Sequence, residues 1–400
     1  MPYIKKVWSL QIVRSMNNLP LKGLTVLEFS QYLSAPSAGL RLADLGARVI
    51  KIERPNGGDA CRKLAIKDLW ADDGNSLLFH TINRNKESFS ADLKNADDIF
   101  IIKKLIKEAD VITHNFRPGV IEKIGLNYEE VKKINPKIIY ATISGYGNEG
   151  PWKDKPGQDL LLQAMSGLVY TSGNKNDDPI PFGIAIADII CGAHLAQGIL
   201  AALIRRQKKQ IGALIEISLM ESLLDFQFEL LTTYYANHQL PKRGQVNSGH
   251  TLLSAPYGIY KTQDGFIAIA MVNISKLTSA INCESLQQFS QEDAFSHRDE
   301  IKEILSTHLL IHSSVYWIDK LLADGIWAME VLDWNRMKQH DAYKVLEMEQ
   351  EIVTQNGEKI ITTRCPVRIN GKRIYSDIPA PQLGQHNEKI VSSVLSKVEK

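Results

Sequence analysis

Short apolar runs alternate with amphipathic segments from Leu24 onwards, and this alternation restricts the possible folds more than any other feature. The runs at 24–29 and 47–53 have the length of strands, whereas 38–45 and 99–108 have the spacing of helices. Strands that alternate with helices form parallel sheets with right-handed crossovers. We therefore predict an α/β fold whose large domain contains a Rossmann-like, mostly parallel sheet.

The same alternation continues to about residue 237. It predicts further strands at 110–116, 137–147 and 211–219, and helices at 120–134, 188–206 and 220–237, with four strands before residue 150. The apolar stretch at 184–204 is interrupted by Asp188, His194 and Gln197, which is typical of a buried helix. We therefore expect no membrane contact.

The pattern changes after His238, where two alternating runs flank a turn at Gln263–Gly265 and indicate an antiparallel hairpin. A chain of 400 residues also exceeds what one hydrophobic core usually serves. We predict an N-terminal extension at 1–20, a large α/β domain at 21–229, a smaller α+β domain at 230–330, and a C-terminal segment at 331–400 that returns to the large domain.

The balance of charges argues against a nucleic-acid partner. Lysine and arginine total 47 against 45 acidic residues, so an anionic ligand requires a local basic cluster. The four cysteines are far apart, and neither they nor the histidines have the spacing of a metal site. We expect a cytoplasmic protein with no metal and no tightly bound cofactor.

Sequence motifs exclude several enzyme classes and leave one conspicuous acid. The chain has no GxGxxG, no GxxxxGK[ST] and no GxSxG, which disfavours nicotinamide enzymes, nucleoside triphosphatases and α/β hydrolases. Asp188 lies in GIAIADIICG, between an apolar run and a helix that is almost free of charge. From local sequence it is either a helix N-cap or a functional carboxylate.

Seven segments together resemble the class III coenzyme A (CoA) transferases, particularly formyl-CoA transferase and the dicarboxylate CoA transferases. Their order along the chain, from about residue 20 to residue 386, matches that of the family. They include the segment from PLKGLTVLEF to GGDACR, then INRNKESFSADLK, ADVITHNFRPGVIEKIGL, INPKIIYATISGYGNEGP, GQDLLLQAMSGLVYTSG, GIAIADIICG and PQLGQH. The resemblance implies an enzyme that moves CoA from an acyl-CoA to a small free carboxylic acid.

The same resemblance assigns roles to individual residues. It implies that Asp188 is the nucleophile and that Asp159 lies near the reacting carboxylate. It also implies a set of CoA-binding residues, comprising Arg54, Lys94, Asn115, Phe116, Lys123 and Gln158. A carboxylate nucleophile is chemically suitable because it divides acyl exchange into easier steps through covalent intermediates.

Two alternative functions stay open at this point. The α-methylacyl-CoA racemases are similar in fold and motifs, but they use a histidine as a second base where this chain has Gln158, which cannot transfer a proton. A non-catalytic CoA-binding protein is the other alternative. The glycine-rich flap of formyl-CoA transferases is not evident at 243–258, and Leu33 replaces a glutamine of some relatives, so the acid is unspecified. The resemblance also implies a homodimer of interlocked, ring-like chains.

Overall fold

A computed structural model describes residues 19–396 of the chain, so the predicted extension lies almost wholly outside the described residues. The strands are β1 Thr25–Glu28, β2 Arg48–Glu53, β3 Glu87–Ser90, β4 Val111–His114, β5 Ile139–Ser144, β6 Ala213–Ser218, β7 Gly258–Lys261, β8 Phe266–Ile269, β9 Ala328–Glu330, β10 Glu349–Val353, β11 Lys359–Thr363, β12 Cys365–Ile369 and β13 Lys372–Ile374.

The α-helices are distributed along the whole described chain. They are α1 Ser34–Asp44, α2 Leu77–Asn83, α3 Ala96–Glu108, α4 Val120–Ile124, α5 Tyr128–Ile134, α6 Asp159–Met165, α7 Ile186–Lys209, α8 Leu219–Phe226, α9 Phe228–Asn237, α10 Ile274–Ile281, α11 Asp293–Ser296, α12 Arg298–His308, α13 Ser314–Ala323, α14 Trp334–Gln339, α15 Asp341–Leu346 and α16 Asn387–Leu395.

The main sheet contains six strands in the order β3-β2-β1-β4-β5-β6. The pairings from β3 through β5 are parallel, with Leu27 of β1 opposite Ile50 of β2 and Ile112 of β4. This is the strand order of a doubly wound nucleotide-binding sheet. The predicted α/β class with a mostly parallel sheet is therefore confirmed.

Some predicted elements differ from the structure. Five strands of the sheet precede residue 150 rather than four, because β3, with the sequence ESFS, has no apolar run to reveal it. The predicted helix at 120–134 is divided because Gly125 adopts a left-handed conformation with φ of 73° and ends α4. The predicted helix at 220–237 is likewise divided at Gln227.

The described residues form two compact units. The first contains the chain up to Ser144, Cys191–Ile217 and the residues from Met348 onwards, and the second contains Gly145–Ile190 and Ser218–Glu347. This grouping assigns Gly145–Ile190 to the second unit, whereas the sequence-based boundary of the large domain was drawn at residue 229. The domain boundaries drawn from the sequence stay predictions.

The two faces of the main sheet in the first unit have opposite character. Leu27, Ile50, Phe89 and Ile112 lie on one face, in a core with residues of α3, α5 and α16. Glu28 and Lys51 are also fully buried, although they alternate with these apolar residues along the strands and therefore point to the opposite face. One face is thus an apolar core, and the other contains charged groups that require partners.

The C-terminal segment closes the β3 edge of the sheet. The Asn387 side chain accepts a hydrogen bond from the Ser90 N–H at 2.9 Å and donates to the Ser90 carbonyl at 3.1 Å. His386 pairs with Ser88 through its backbone N–H and through Nδ1. The PQLGQH segment and Asn387 thus cover an edge strand whose backbone groups need partners.

The second unit contains the antiparallel sheet β7-β8-β9. Lys261 pairs with Phe266 across the turn at Gln263–Gly265, which confirms the predicted hairpin. Tyr260, Ile267 and Trp317 are fully buried in a core shared with residues of α10, α12 and α13. The inward residues alternate with outward ones along each strand, as a sheet with one buried face requires.

Helix α7 is long and apolar enough to cross a membrane by length and composition, and half of its most apolar window is buried inside the protein. Core helices of soluble proteins have the same properties. Gly192 shows how closely α7 packs, because a Cβ there would lie 2.5 Å from the carbonyl oxygen of Ser34 in α1. The expected absence of membrane contact stays a prediction.

Candidate active site

Asp188 lies in the first turn of α7 and is half-buried. The helix begins at Ile186, two residues earlier than predicted, so Asp188 is within the helix and is not its N-cap. The backbone N–H groups of a first turn, together with the helix dipole, favour a negative charge at this position. The chain therefore presents a carboxylate at a helix start without burying it completely.

Asp159 is the first residue of α6, and its Oδ2 accepts a hydrogen bond from the backbone N–H of Asp188 at 3.1 Å. The structure thus brings together the two residues to which the resemblance assigns chemistry. This contact joins α6 to the first turn of α7 within the second unit.

Gln163 completes this arrangement and was not identified from the sequence. Its Nε2 donates to Oδ1 of Asp159 at 2.6 Å and to the carbonyl oxygen of Ile184 at 3.2 Å. Its Oε1 accepts from the Phe182 N–H at 2.7 Å. The only signal in the sequence is a polar residue on the otherwise apolar helix LLLQAM.

Two glycines explain how the loop before α6 closes on itself within the second unit. A Cβ on Gly145 would lie 2.9 Å from the Cα of Gly157, so these two backbone segments touch. Side chains at either position would separate them. Gln158 follows immediately as the exposed N-cap residue of α6, without a side-chain capping bond. It therefore lies in the second unit beside Asp159.

The other predicted CoA-binding residues lie in the first unit. Arg54, Lys94 and Asn115 follow the carboxyl ends of β2, β3 and β4, which are the ends where open α/β sheets bind ligands. Arg54 and Lys94 are exposed, and Arg54 Nε donates to the Gly58 carbonyl at 2.9 Å. Lys123 is exposed on α4. The structure thus places three of the predicted residues after strands that end at the same edge of the parallel sheet.

Asn115 has a structural role in addition to its position. Its side-chain oxygen accepts from the Gln31 N–H at 2.9 Å, and its nitrogen donates to the Gln31 carbonyl at 2.8 Å. Tyr32, which follows Gln31 in the chain, has φ of 65° and donates its N–H to Oδ1 of Asp59 at 3.1 Å. The loop after β1 is therefore held by two side chains.

Beneath this loop lies a buried ionic network of Glu28, Lys51, Asp59 and Lys86. Lys51 Nζ is 3.1 Å from Glu28 Oε1 and 2.7 Å from Asp59 Oδ2, and it donates to the Ser30 carbonyl at 2.8 Å. Lys86 Nζ lies 2.9 Å from both Glu28 oxygens. Two acids and two bases give a formally neutral network.

The network determines the charge states of its members. Burial alone would lower the pKa of Lys51, but the Asp59 and Glu28 carboxylates raise it well above its usual range. Burial lowers the pKa of Lys86 to about 8, so this lysine is charged at neutral pH. Glu28 and Lys51 interrupt the apolar strands LTVLEF and ARVIKIE, which is the sequence signal that could have revealed them.

Phe116 is half-buried and stacks on His114, with ring centroids 5.6 Å apart. His114 is buried at the end of β4, and burial lowers its pKa to about 4. It is therefore neutral at physiological pH. Nδ1 accepts from the Phe116 N–H at 3.4 Å, so the imidazole helps to hold the segment after β4.

These features define an α/β protein with a doubly wound sheet and a carboxylate pair at a helix start. Comparison with known proteins then identifies the family, since the model described as CoA-transferase family III matches residues 21–387. The chain belongs to this family and is a CoA transferase, acting between acyl-CoA and carboxylic acids. The resemblance seen in the sequence is thereby confirmed.

Two named relatives and a solved structure agree with this assignment. The chain is 30% identical to succinate–glutarate CoA-transferase of Agrobacterium fabrum, over 94% of this chain and 96% of that protein. It is 33% identical to acetyl-CoA:oxalate CoA-transferase of Acetobacter aceti, over 78% and 81% of the two chains. The crystal structure of a CAIB/BAIF family protein from Brucella suis superposes with a TM-score of 0.81 at 28% identity, covering 94% of this chain and all of that one.

Proposed function

We propose that this enzyme moves CoA from an acyl-CoA donor to a small mono- or dicarboxylic acid, with the Asp188 carboxylate as nucleophile. The observation that carries the proposal is the position of Asp188 in the first turn of α7, half-buried, with its backbone N–H bonded to a second carboxylate. Family membership supplies the reaction class, and this geometry supports the choice of residue.

The proposed reaction proceeds through two kinds of covalent intermediate. The Asp188 carboxylate attacks the thioester carbonyl and expels CoA thiolate, which gives a mixed anhydride. The thiolate then attacks the aspartyl carbonyl, releases the donor acid and forms an aspartyl-CoA thioester. The acceptor carboxylate displaces the thiolate to form a second anhydride. Attack of the thiolate on the acceptor acyl group yields the new acyl-CoA and restores Asp188.

Asp159 supports this chemistry by anchoring the helix that carries the nucleophile. One of its oxygens accepts the Asp188 N–H and the other accepts the Gln163 amide, so both oxygens have partners within the second unit. A carboxylate engaged in this way orients its neighbours. This favours an anchoring role for Asp159 over direct contact with the acceptor acid.

The substrate class is proposed from relatives. Two relatives carry names that specify succinate with glutarate, and acetyl-CoA with oxalate. We propose succinyl-CoA or acetyl-CoA as donors. A panel of acyl-CoA donors against carboxylic acids, with CoA products identified by mass spectrometry, would establish the pair used.

Substitution of Asp188 tests the assignment. We expect Asp188→Asn and Asp188→Ala to lower CoA exchange about a thousandfold or more, because neither side chain can form the anhydride. Asp97→Asn is a matched control, since Asp97 is an exposed acid in the first turn of α3. Hydroxylamine should trap the acylated aspartate in the unmodified enzyme and not in the variants.

Two results would contradict the proposal. Exchange within a fewfold of the unmodified enzyme in Asp188→Ala would exclude the nucleophile assignment. Incorporation of deuterium at the α-carbon of a chiral 2-methylacyl-CoA, without any acceptor acid, would indicate racemisation instead of transfer.

We also propose that two copies form an interlocked homodimer. Support comes from large apolar side chains exposed in the second unit, where Trp327 and Trp334 are 75% and 83% accessible in the single chain. Met329 and Ile259, on the outer face of the antiparallel sheet, are exposed as well. Ile259 and Met329 are both paired with Ala268, so they share this outer face, and exposed apolar patches mark interaction surfaces. Sedimentation at twice the chain mass of 44.9 kDa is expected, and a stable monomer would refute the proposal.

A further inference from the structure

The side chain of Gln163 is buried, with 2% exposure. Its amide carries two N–H donors and one oxygen acceptor, and each of them needs a hydrogen-bond partner inside the protein. Both donors and the acceptor are occupied, by Asp159 Oδ1, the Ile184 carbonyl and the Phe182 N–H. The opposite amide orientation would turn its oxygen towards a carboxylate and a carbonyl oxygen. The hydrogen-bond partners therefore determine the orientation of the group.

These three bonds link α6 to the segment that leads into α7. Phe182 and Ile184 precede the helix start at Ile186, and Asp159 holds the Asp188 N–H in the first turn. Gln163 thus bonds the approach to the helix directly and bonds its first turn through Asp159. A shift of any partner would move the backbone that carries Asp188.

No other residue type of this size offers the same bonds. Glutamate would place a second carboxylate at the position now 2.6 Å from Asp159 Oδ1. Methionine would leave the Phe182 N–H and the Ile184 carbonyl without these partners. Glutamine is the side chain that can make all three of these part-buried hydrogen bonds at once, and its own buried amide needs them.

We propose that Gln163 is a positioning residue, which sets the backbone of residues 182–188 so that Asp188 is presented for attack. The proposal rests on the function proposed for Asp188. Gln163 acts through Asp159 and the helix start, without contact to the reacting atoms. Its loss should therefore reduce turnover more than substrate binding.

The first test compares kcat with KM in three variants. We expect Gln163→Met and Gln163→Glu to lower kcat about tenfold or more, the effect of losing a hydrogen bond to a charged group, with KM for acyl-CoA within about threefold. Gln227→Met is the matched control. Gln227 is also buried in the second unit, and its Nε2 donates to the carbonyls of Ser166 and Leu223.

The pH profile separates positioning from general loss of structure. In Gln163→Glu, two carboxylates in contact share a proton at low pH, and the protonated glutamate again donates to Asp159. The activity of this variant relative to the unmodified enzyme should therefore rise several-fold as the pH falls. Gln163→Met should show no such recovery. Equal loss in Gln227→Met, or a kcat within twofold in Gln163→Met, would overturn the proposal.

Hydrogen exchange tests the inference without using activity. In the unmodified protein, the amide of Phe182 should exchange at least tenfold more slowly than that of Gly183, because only the former is bonded to Gln163. In Gln163→Met the protection at Phe182 and Asp188 should fall, while Gln227→Met preserves it. Equal exchange of Phe182 and Gly183 in the unmodified protein would refute the hydrogen bond from Phe182 to Gln163. This result would not depend on whether the protein transfers CoA.

Discussion

Replacement of Glu28 by glutamine would unbalance the buried network beneath the loop after β1. Glu28 contacts Lys51 and Lys86 at 3.1 and 2.9 Å, and the side chains of all three are completely inaccessible. Glutamine keeps the shape of the side chain but removes the charge. The network, formally neutral with Asp59, then carries one uncompensated positive charge.

The expected loss is about 3–5 kcal/mol in the free energy of unfolding at pH 7, the effect of removing one partner of a buried ion pair. Glu87→Gln is the matched control. Glu87 also contacts two cations, Arg48 and Lys389, but it lies on an edge strand with 17% exposure. We expect a loss of about 1 kcal/mol or less there, because solvent screens the pairs.

The pH dependence follows from Lys86. Its pKa is already lowered to about 8 by burial, and loss of Glu28 removes the nearest charge that raises it. The pKa of Lys86 in the folded variant therefore falls below about 8, whereas the unfolded chain keeps the usual lysine value. Its stability should therefore rise with pH between about 6 and 8, whereas Lys86 contributes little slope to the unmodified protein below about 8.

Urea unfolding followed by fluorescence and circular dichroism measures these changes. The double variant Glu28→Gln/Lys86→Met restores formal neutrality, so its loss should fall short of the sum of the single losses by about 1–3 kcal/mol. A loss below about 1 kcal/mol in Glu28→Gln, or additive losses within about 0.5 kcal/mol, would refute the reasoning.

Two further predictions concern the segment after β4. Asn115→Leu removes both hydrogen bonds that hold Gln31 in the loop after β1. The dissociation constant of CoA, measured by calorimetry, should rise about tenfold, and an unchanged constant would argue against a role of this loop in CoA binding. Burial lowers the pKa of His114 to about 4 in the folded protein. As the pH falls, this histidine is therefore protonated in the unfolded chain before it is protonated in the folded protein, and the free energy of unfolding should fall by about 2–3 kcal/mol between about pH 6.5 and 4. His114→Phe should flatten urea-unfolding stability in that window, and an unchanged slope would contradict the prediction.

The sequence-based description of the fold succeeded where an element has a periodic apolar pattern. The strand at 47–53 corresponds to β2, and the turn at Gln263–Gly265 joins β7 to β8. It failed at β3, which is polar and owes its pairing to β2 and to the C-terminal segment. Gly125 and Gln227 divide helices that periodicity alone joined.

The candidate site shows the same division. Asp188 stands out as a charge in an apolar segment, and the resemblance to CoA transferases selected it together with Asp159. The partners of these residues could not be read in the same way. Gln163 lies 25 positions before Asp188, and neither spacing nor residue type reveals that its amide bonds both Asp159 and the entry to α7.

The sequence by itself determined the α/β class, the family and the acid proposed as nucleophile, because strand and helix periodicity and short motifs are local properties of a chain. The tertiary structure alone decided which buried polar groups meet, including Glu28 with Lys51 and Lys86, and Gln163 with Asp159. The physical reason is that a buried charge or amide is stable only beside a complementary group, and folding brings that group from a distant part of the chain.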